Sequence, residues 1–212
     1  ASGEEGEADE PSVDAFAAHR LHGAYAGSYR MLWEAQARMP PGWAPRDSLE
    51  FGAGLAPASW AAAELWPDAG LRCTAVEPNP HLRRAGAELC QAGASSSVLD
   101  GPDGAREAHR FVVAGGRALP PLSGDATAAG SVGAAPAPLI EWVNRLRPLS
   151  AQYDVVSAPY CLDSLPADAL RVAVHALWAR VREGGLMAVA LPATRPGFET
   201  MLVVREELLR GA

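Results

Sequence analysis

Two acids and two glycines define the chemistry this chain is equipped for. Glu50, Gly52 and Gly54 stand at alternate positions in Ser48-Leu-Glu-Phe-Gly-Ala-Gly-Leu-Ala, and Glu77 follows in Thr74-Ala-Val-Glu-Pro-Asn-Pro. A turn that brings backbone against a ligand needs residues without bulk. A carboxylate about twenty residues on, at the end of the next strand, accepts hydrogen bonds from ribose hydroxyls. The pattern reads as a strand, a glycine turn, a helix and a second strand, together forming a crevice for a nucleoside-type ligand. The plainer reading is the same sheet with an empty crevice.

Two ligand classes compete for that crevice. A dinucleotide fingerprint, G-x-G-x-x-G, requires glycine at position 57, where Pro57 stands. Proline suits the first turn of a helix, where its missing N–H has no partner to lose. A pyrophosphate would use that N–H as a donor. S-adenosylmethionine (SAM) carries no phosphate, and the acid-x-Gly-x-Gly pattern resembles the SAM methyltransferases more than the dinucleotide enzymes. Ala56 stands where the methyltransferase pattern usually has a third glycine, and its methyl group is expected to narrow the methionine end of the pocket. On this reading Glu50, Gly52, Gly54, Glu77 and Ser157 are the cofactor-binding candidates.

Ser157-Ala-Pro-Tyr160 follows a further strand, at the place where amino-methyltransferases carry Asn/Asp/Ser-Pro-Pro-Tyr. There the acceptors hold the target amine while the aromatic ring stacks on the base. Ser157, Pro159 and Tyr160 are therefore the candidate substrate contacts. A strand end turning into a loop favours the same residue types, which is the bland alternative. No catalytic residue can be named. Methyl transfer needs chiefly alignment of donor and acceptor, so a missing general base is not decisive. His19, His22, His81, His109 and His175 are scattered, and Cys73, Cys90 and Cys161 include no C-x-x-C pair. No metal site is expected, and the thiols read as reduced and structural. The arginines near Arg20 and Arg30, and Arg83-Arg84, are candidates for RNA phosphates or, more plainly, solvated helix faces.

The elements that must position these groups follow from spacing. Phe16, Leu21, Tyr25, Tyr29, Leu32 and Trp33 predict a helix over 12–39, opened by Ser12, ended by Pro40-Pro41-Gly42 and covering the edge or mouth of the sheet. Strands are expected over 48–51, 72–76, 111–113, 153–157 and 186–191. Helices are expected over 57–66, 80–92, 139–146, 166–182 and 198–210. The alternation predicts an α/β, doubly wound, mostly parallel, Rossmann-like sheet with strand order 3-2-1-4-5 and its crevice at the carboxyl ends of strands one and four. The closing strands of a complete methyltransferase sheet are absent from this sequence, and their place is expected in a separate or missing segment.

Composition sets outer limits. The 212 residues are 49% hydrophobic and 20% charged, enough for one domain with a sizeable core. No apolar run is long enough to cross a bilayer, so no membrane partner is expected. A net charge of −7 leaves no global basic footprint for nucleic acid. Residues 1–11, with Glu4, Glu5, Glu7, Asp9 and Glu10, read as an acidic disordered tail or, less simply, a partner-binding arm. The domain is expected over 12–212, interrupted by a low-complexity Pro/Gly/Ala/Ser insertion at 120–138. An arginine-rich, acid-poor transit peptide is not expected within these residues; if one existed, it is expected to have been removed.

Taken together, several segments resemble one family, the methyltransferase-like proteins of the mitochondrial small ribosomal subunit and their bacterial relatives. The resemblance runs through Tyr25-Ala-Gly-Ser-Tyr-Arg, Ser48-Leu-Glu-Phe-Gly-Ala-Gly, Ser59-Trp-Ala and Val76-Glu-Pro-Asn-Pro-His. It resumes at Tyr153-Asp-Val-Val-Ser, Leu162-Asp-Ser-Leu-Pro166 and Leu177-Trp178, and closes with Leu191-Pro-Ala-Thr-Arg-Pro-Gly-Phe198 and Arg205-Glu-Glu-Leu-Leu. The tail, 93–139 and the chain ends are not covered. The family's turn usually reads Gly-Ala-Gly-Pro-Gly-Thr, whereas Leu55, Ala56 and Pro57 stand in its last three places here. The resemblance implies a component or assembly factor of the mitochondrial small ribosomal subunit, in the matrix, contacting rRNA and ribosomal proteins and serving translation. It implies a SAM crevice, either kept or lost through those departures, and hence a scaffold without catalysis or an active SAM-dependent RNA methyltransferase. A small-molecule methyltransferase with the same pocket is a third reading. The family's iron–sulfur segment lies beyond this chain.

Overall fold

A computed structural model describes residues 10–95 and 139–210. Helix α1 spans Glu10–Gln36 and strand β1 Asp47–Phe51; α2 follows at Pro57–Leu65, β2 at Arg72–Val76 and α3 at Pro80–Ser95. After the interval come β3 (Leu139–Val143), β4 (Tyr153–Pro159), α4 (Ala167–Trp178), β5 (Val181–Ala190) and α5 (Arg195–Arg210). All strand pairs are parallel, in the order β3-β2-β1-β4-β5. The sheet is α/β and doubly wound, with the expected strand order. The expected strand at 111–113, the insertion at 120–138 and the acidic residues 1–9 lie outside the described residues.

Three boundaries differ from the sequence reading. The described part of α1 already includes Glu10, Pro11 and Ser12, so the helix reaches back before its expected start at 12 and the last two residues of the expected tail are helical. Residues 139–146 are not a helix: Leu139–Val143 pairs with β2 from Arg72↔Leu139 to Val76↔Val143. A five-residue apolar stretch suits either state, and pairing decides it. The Trp142 ring fits because α3 carries Gly86 opposite it, where a Cβ would lie 2.2 Å from the ring edge. The helix expected over 166–182 ends at Trp178, well before Gly184-Gly185. They sit within β5, where the register jumps from Tyr153↔Val181 to Val155↔Leu186. Gly184 takes a φ of +76°, which favours glycine at this bulge.

Strand alternation divides the core between the two faces. On one face Leu49 and Val156 pack with Leu162, Leu170, Val174, Leu177 and Val204 under α4 and α5. On the other, Cys73, Val155 and Ala188 meet Leu32 of α1 and Ala58, Ala61 and Ala62 of α2. Each fully buried leucine or valine of this set contributes on the order of 1.5–3 kcal/mol. At the amino ends of the strands, Asp154 accepts the amides of Arg46 (2.8 Å) and Asp47 (3.0 Å). Arg182 bridges Asp154 and Asp47 there. That pinned end leaves the carboxyl ends of β1, β2 and β4 as the open rim. Among the described residues, no helix is long and apolar enough to cross a membrane.

Candidate functional site at the glycine turn

Beyond β1 the chain takes three left-handed steps, Gly52 (φ +65°), Gly54 (φ +55°) and Ala56 (φ +60°), before Pro57 opens α2. Gly52 is required twice over. Its φ is unfavourable for any side chain, and a Cβ there would meet the Cβ of Cys161 at 2.4 Å. Ala56 occupies a conformation that glycine adopts freely, which explains why glycine suits this place. Its methyl group is fully buried beside Ala53 and Ala75.

The turn is tied to β2. The Ala53 amide donates to the Val76 carbonyl (3.0 Å), and the Gly54 amide donates to Oε2 of Glu77 (2.8 Å). The other oxygen of Glu77 accepts the Asn79 amide (2.8 Å). Asn79 in turn caps α3, its Oδ1 accepting from the His81 amide at 2.9 Å. Gly52, Gly54 and Glu77 therefore share one rim, as the spacing anticipated.

Glu50 lies beneath that rim, 1% exposed. Its Oε1 accepts from the Ala58 amide (3.1 Å), and its Oε2 accepts from the Ser59 amide and hydroxyl (2.8 Å each). Both oxygens thus satisfy orphan amides at the start of α2, the work an N-cap does elsewhere. Burial pushes its carboxyl up to about 7, against the opposing pull of these three donors. Ser59, unmarked by spacing alone, is the partner that makes Glu50 a fastener of α2.

Ser157 pairs with Glu50 across β1 and β4, and its buried hydroxyl donates to the Leu49 carbonyl (3.2 Å). Pro159 ends β4 and is buried. Tyr160 takes a left-handed φ of +56°, with its amide donating to the Ala190 carbonyl (2.8 Å). Its ring reaches α1, where a Cβ on Gly27 would lie 1.9 Å from the tyrosine hydroxyl. Cys161 follows, its thiol donating to the Phe51 carbonyl (3.1 Å) and pushed up to about 12 chiefly by burial.

Helix α1 closes the mouth, as a helix ahead of the first strand was expected to. It packs on α2, β4, β5 and α3. The ring of Phe16 stands over the turn, 2.9 Å from where a Cβ of Gly54 would be. Reading Phe16 as one member of an aromatic stripe gave no sign of this. Its lone position a turn ahead of the stripe was the available signal.

Of the arginines expected near RNA, Arg30, Arg83 and Arg84 have partners within the chain. Arg83 donates to the carbonyls of Glu77 (2.6 Å) and Pro78 (2.7 Å), bracing the rim. Arg30 pairs with Glu34 and lies 4.7 Å over the Trp33 ring, and Arg84 pairs with Glu88. Among the described residues no three His, Cys, Asp or Glu side chains converge as a metal site would require. Two clefts among the described residues lie elsewhere. One of about 490 Å³ runs along Leu191–Thr194 to Phe198 and Met201, and one of about 740 Å³ sits at the amino ends of the strands by Arg72, Arg147 and Arg182.

The fold matches that of CalS10, a SAM-bound amino pentose methyltransferase from Micromonospora echinaspora involved in calicheamicin biosynthesis, at 14% identity and TM-score 0.51, covering 87% of this chain and 58% of that one. An O-methyltransferase family protein from Burkholderia thailandensis matches at 14% identity and TM-score 0.54, covering 93% and 49%. A Methanococcus maripaludis protein proposed to be a SAM-dependent methyltransferase matches at 12% identity and TM-score 0.54, covering 100% and 75%. The chain thus spans little more than half the length of the first two or less. No curated protein sequence matches. Residues 10–101 match the model of the family described as mitochondrial small ribosomal subunit Rsm22. Over α1, the glycine turn, β2 and α3 this chain is therefore similar to the Rsm22 family of the mitochondrial small ribosomal subunit, and its sheet has the SAM-methyltransferase fold.

Proposed function

We propose that this protein is a component or assembly factor of the mitochondrial small ribosomal subunit, working in the matrix on a SAM-methyltransferase scaffold and contacting rRNA and ribosomal proteins. The observation that carries this reading is the family match over 10–101, the stretch that builds α1 and the rim of Gly52, Gly54 and Glu77. Catalysis has less support. Ser157 Oγ faces the Leu49 carbonyl and both Glu50 oxygens face α2, so neither is presented to a substrate. Pro159 is buried, leaving the Tyr160 ring as the candidate acceptor platform.

The rim fits SAM on one structural ground: Gly54, a turn position without a Cβ, donates its amide to the Glu77 carboxylate at 2.8 Å, with the Phe16 ring lying over it and Cys161 lying over Gly52. Gly54 would let an adenosyl ligand approach the backbone once the Phe16 ring is displaced, and Glu77, 7% exposed with its oxygens accepting the Gly54 and Asn79 amides, would take ribose hydroxyls on its remaining lone pairs. Glu50 and Ser157 support the site from below by fixing the start of α2 and the β1–β4 register. Bound SAM would supply an electrophilic methyl group. An active RNA methyltransferase is the second reading, favoured by this retained rim.

The test is fractionation of mitochondria carrying the tagged full-length protein. Near-stoichiometric migration with small-subunit rRNA is expected. Migration free of rRNA under all assembly conditions would defeat the ribosomal reading.

A further inference from the structure

Helix α1 is built unevenly along its length. From Tyr25 onward it is anchored: the Tyr25 hydroxyl donates to Glu64 of α2, Gly27 lies under Tyr160, and Ser28 and Leu32 are fully buried. From 13 to 22 no side chain is fully buried. The inward contacts of that half include the Phe16 ring against Gly54, and Val13, Ala17 and Leu21 are half-buried. Between the halves stands Gly23, exposed, mid-helix, with nothing within 4 Å of a Cβ placed there. Gly27 has a packing reason, since any side chain would strike Tyr160. Among the described residues Gly23 has none, and glycine in a helix interior weakens the helix relative to alanine.

We propose that residues 13–22 of α1 are a hinged lid over the glycine turn, shut by the Phe16 ring and released at Gly23. An adenosyl ligand reaches Gly54 and Glu77 when this half-helix swings away. Three features support the assignment together: the plug sits on a ligand-facing glycine, the weak point has no structural cause, and the anchor begins just after it. Tyr160, held at a left-handed φ where a bulky residue is strained, fastens the fixed half and keeps the movement local. What enters rests on the crevice reading above; that the lid opens does not.

Hydrogen exchange on the ligand-free protein tests the opening. Amides of 14–22 are expected to exchange at least about tenfold faster than those of 28–36. Gly23→Ala should slow the first set about fivefold and leave the second unchanged. Equal protection in both halves overturns the lid. Calorimetry with S-adenosylhomocysteine tests its consequence: Phe16→Ala should bind about fivefold or more tightly than wild type, and Gly23→Ala about fivefold more weakly. Weaker binding by Phe16→Ala overturns the proposal, because the ring would then be a wall of the site. If the exchange pattern holds while no variant binds at millimolar ligand, the lid stands and the SAM crevice falls.

Discussion

Glu50 gives a prediction whose sign is unusual for a carboxylate. Its pKa rises from the ordinary 4.5 to about 7 because it is removed from water, and the three donors from α2 only partly offset this. At 1.36 kcal/mol per pKa unit the rise corresponds to about 3 kcal/mol. Below pH 4.5 the carboxyl is protonated in both folded and unfolded chains. Between about 4.5 and 7 the folded chain keeps the proton while the unfolded chain releases it, so stability falls as pH rises. Above about 7 both are ionised and the loss is complete. Glu50→Gln removes the titration. It also leaves the Ala58 amide facing an amide nitrogen, a pH-independent cost of about 1–3 kcal/mol. Urea denaturation of both proteins from pH 4.5 to 8.5 separates the effects. Wild-type stability minus that of the variant should fall by about 3 kcal/mol across the range. A flat difference, or one that grows with pH, would refute the reasoning and mean that the donors hold Glu50 ionised throughout.

Other consequences are quicker to check. Gly52→Ala forces a left-handed residue against Cys161, and the loss expected in urea denaturation is about 2–4 kcal/mol; wild-type stability would remove the clash from the account. Burial raises the thiols of Cys73 (to about 11) and Cys161 (to about 12), so both should resist iodoacetamide at pH 8 in the native protein. Half-buried Cys90 should label first, and mass spectrometry of the labelled peptides reads the order.

Much of the fold was legible because its signals are local and chemical. The glycine turn, the acid after the second apolar stretch, and Asn79-Pro80 at a helix start each name one conformation. Together with right-handed crossovers they give the strand order. What was illegible depended on partners far along the chain. Leu139–Val143 reads as the start of a helix until β2 supplies its edge. Residues 181–185 look like a helix stop and are a bulged strand start, because the deciding contact is with Tyr153. At the site, the pattern placed Gly52, Gly54 and Glu77 correctly on one rim. It could not tell that Glu50 and Ser157 turn their polar atoms inward, since spacing along a strand gives alternation but not which layer a carboxylate meets. Phe16 was hidden for a related reason: a helical stripe shows which residues share a face, not what that face covers.

The central claim is that the turn after β1 and the acid after β2 form one adenosyl-binding rim. Isothermal titration of the purified protein with SAM, beside Glu77→Ala, tests it most directly. The account predicts saturable one-to-one binding to the wild type that Glu77→Ala weakens at least about tenfold, in line with loss of a hydrogen-bonded charged group. Binding that Glu77→Ala leaves unchanged, or no heat at millimolar SAM even with the Phe16 ring removed, would contradict it.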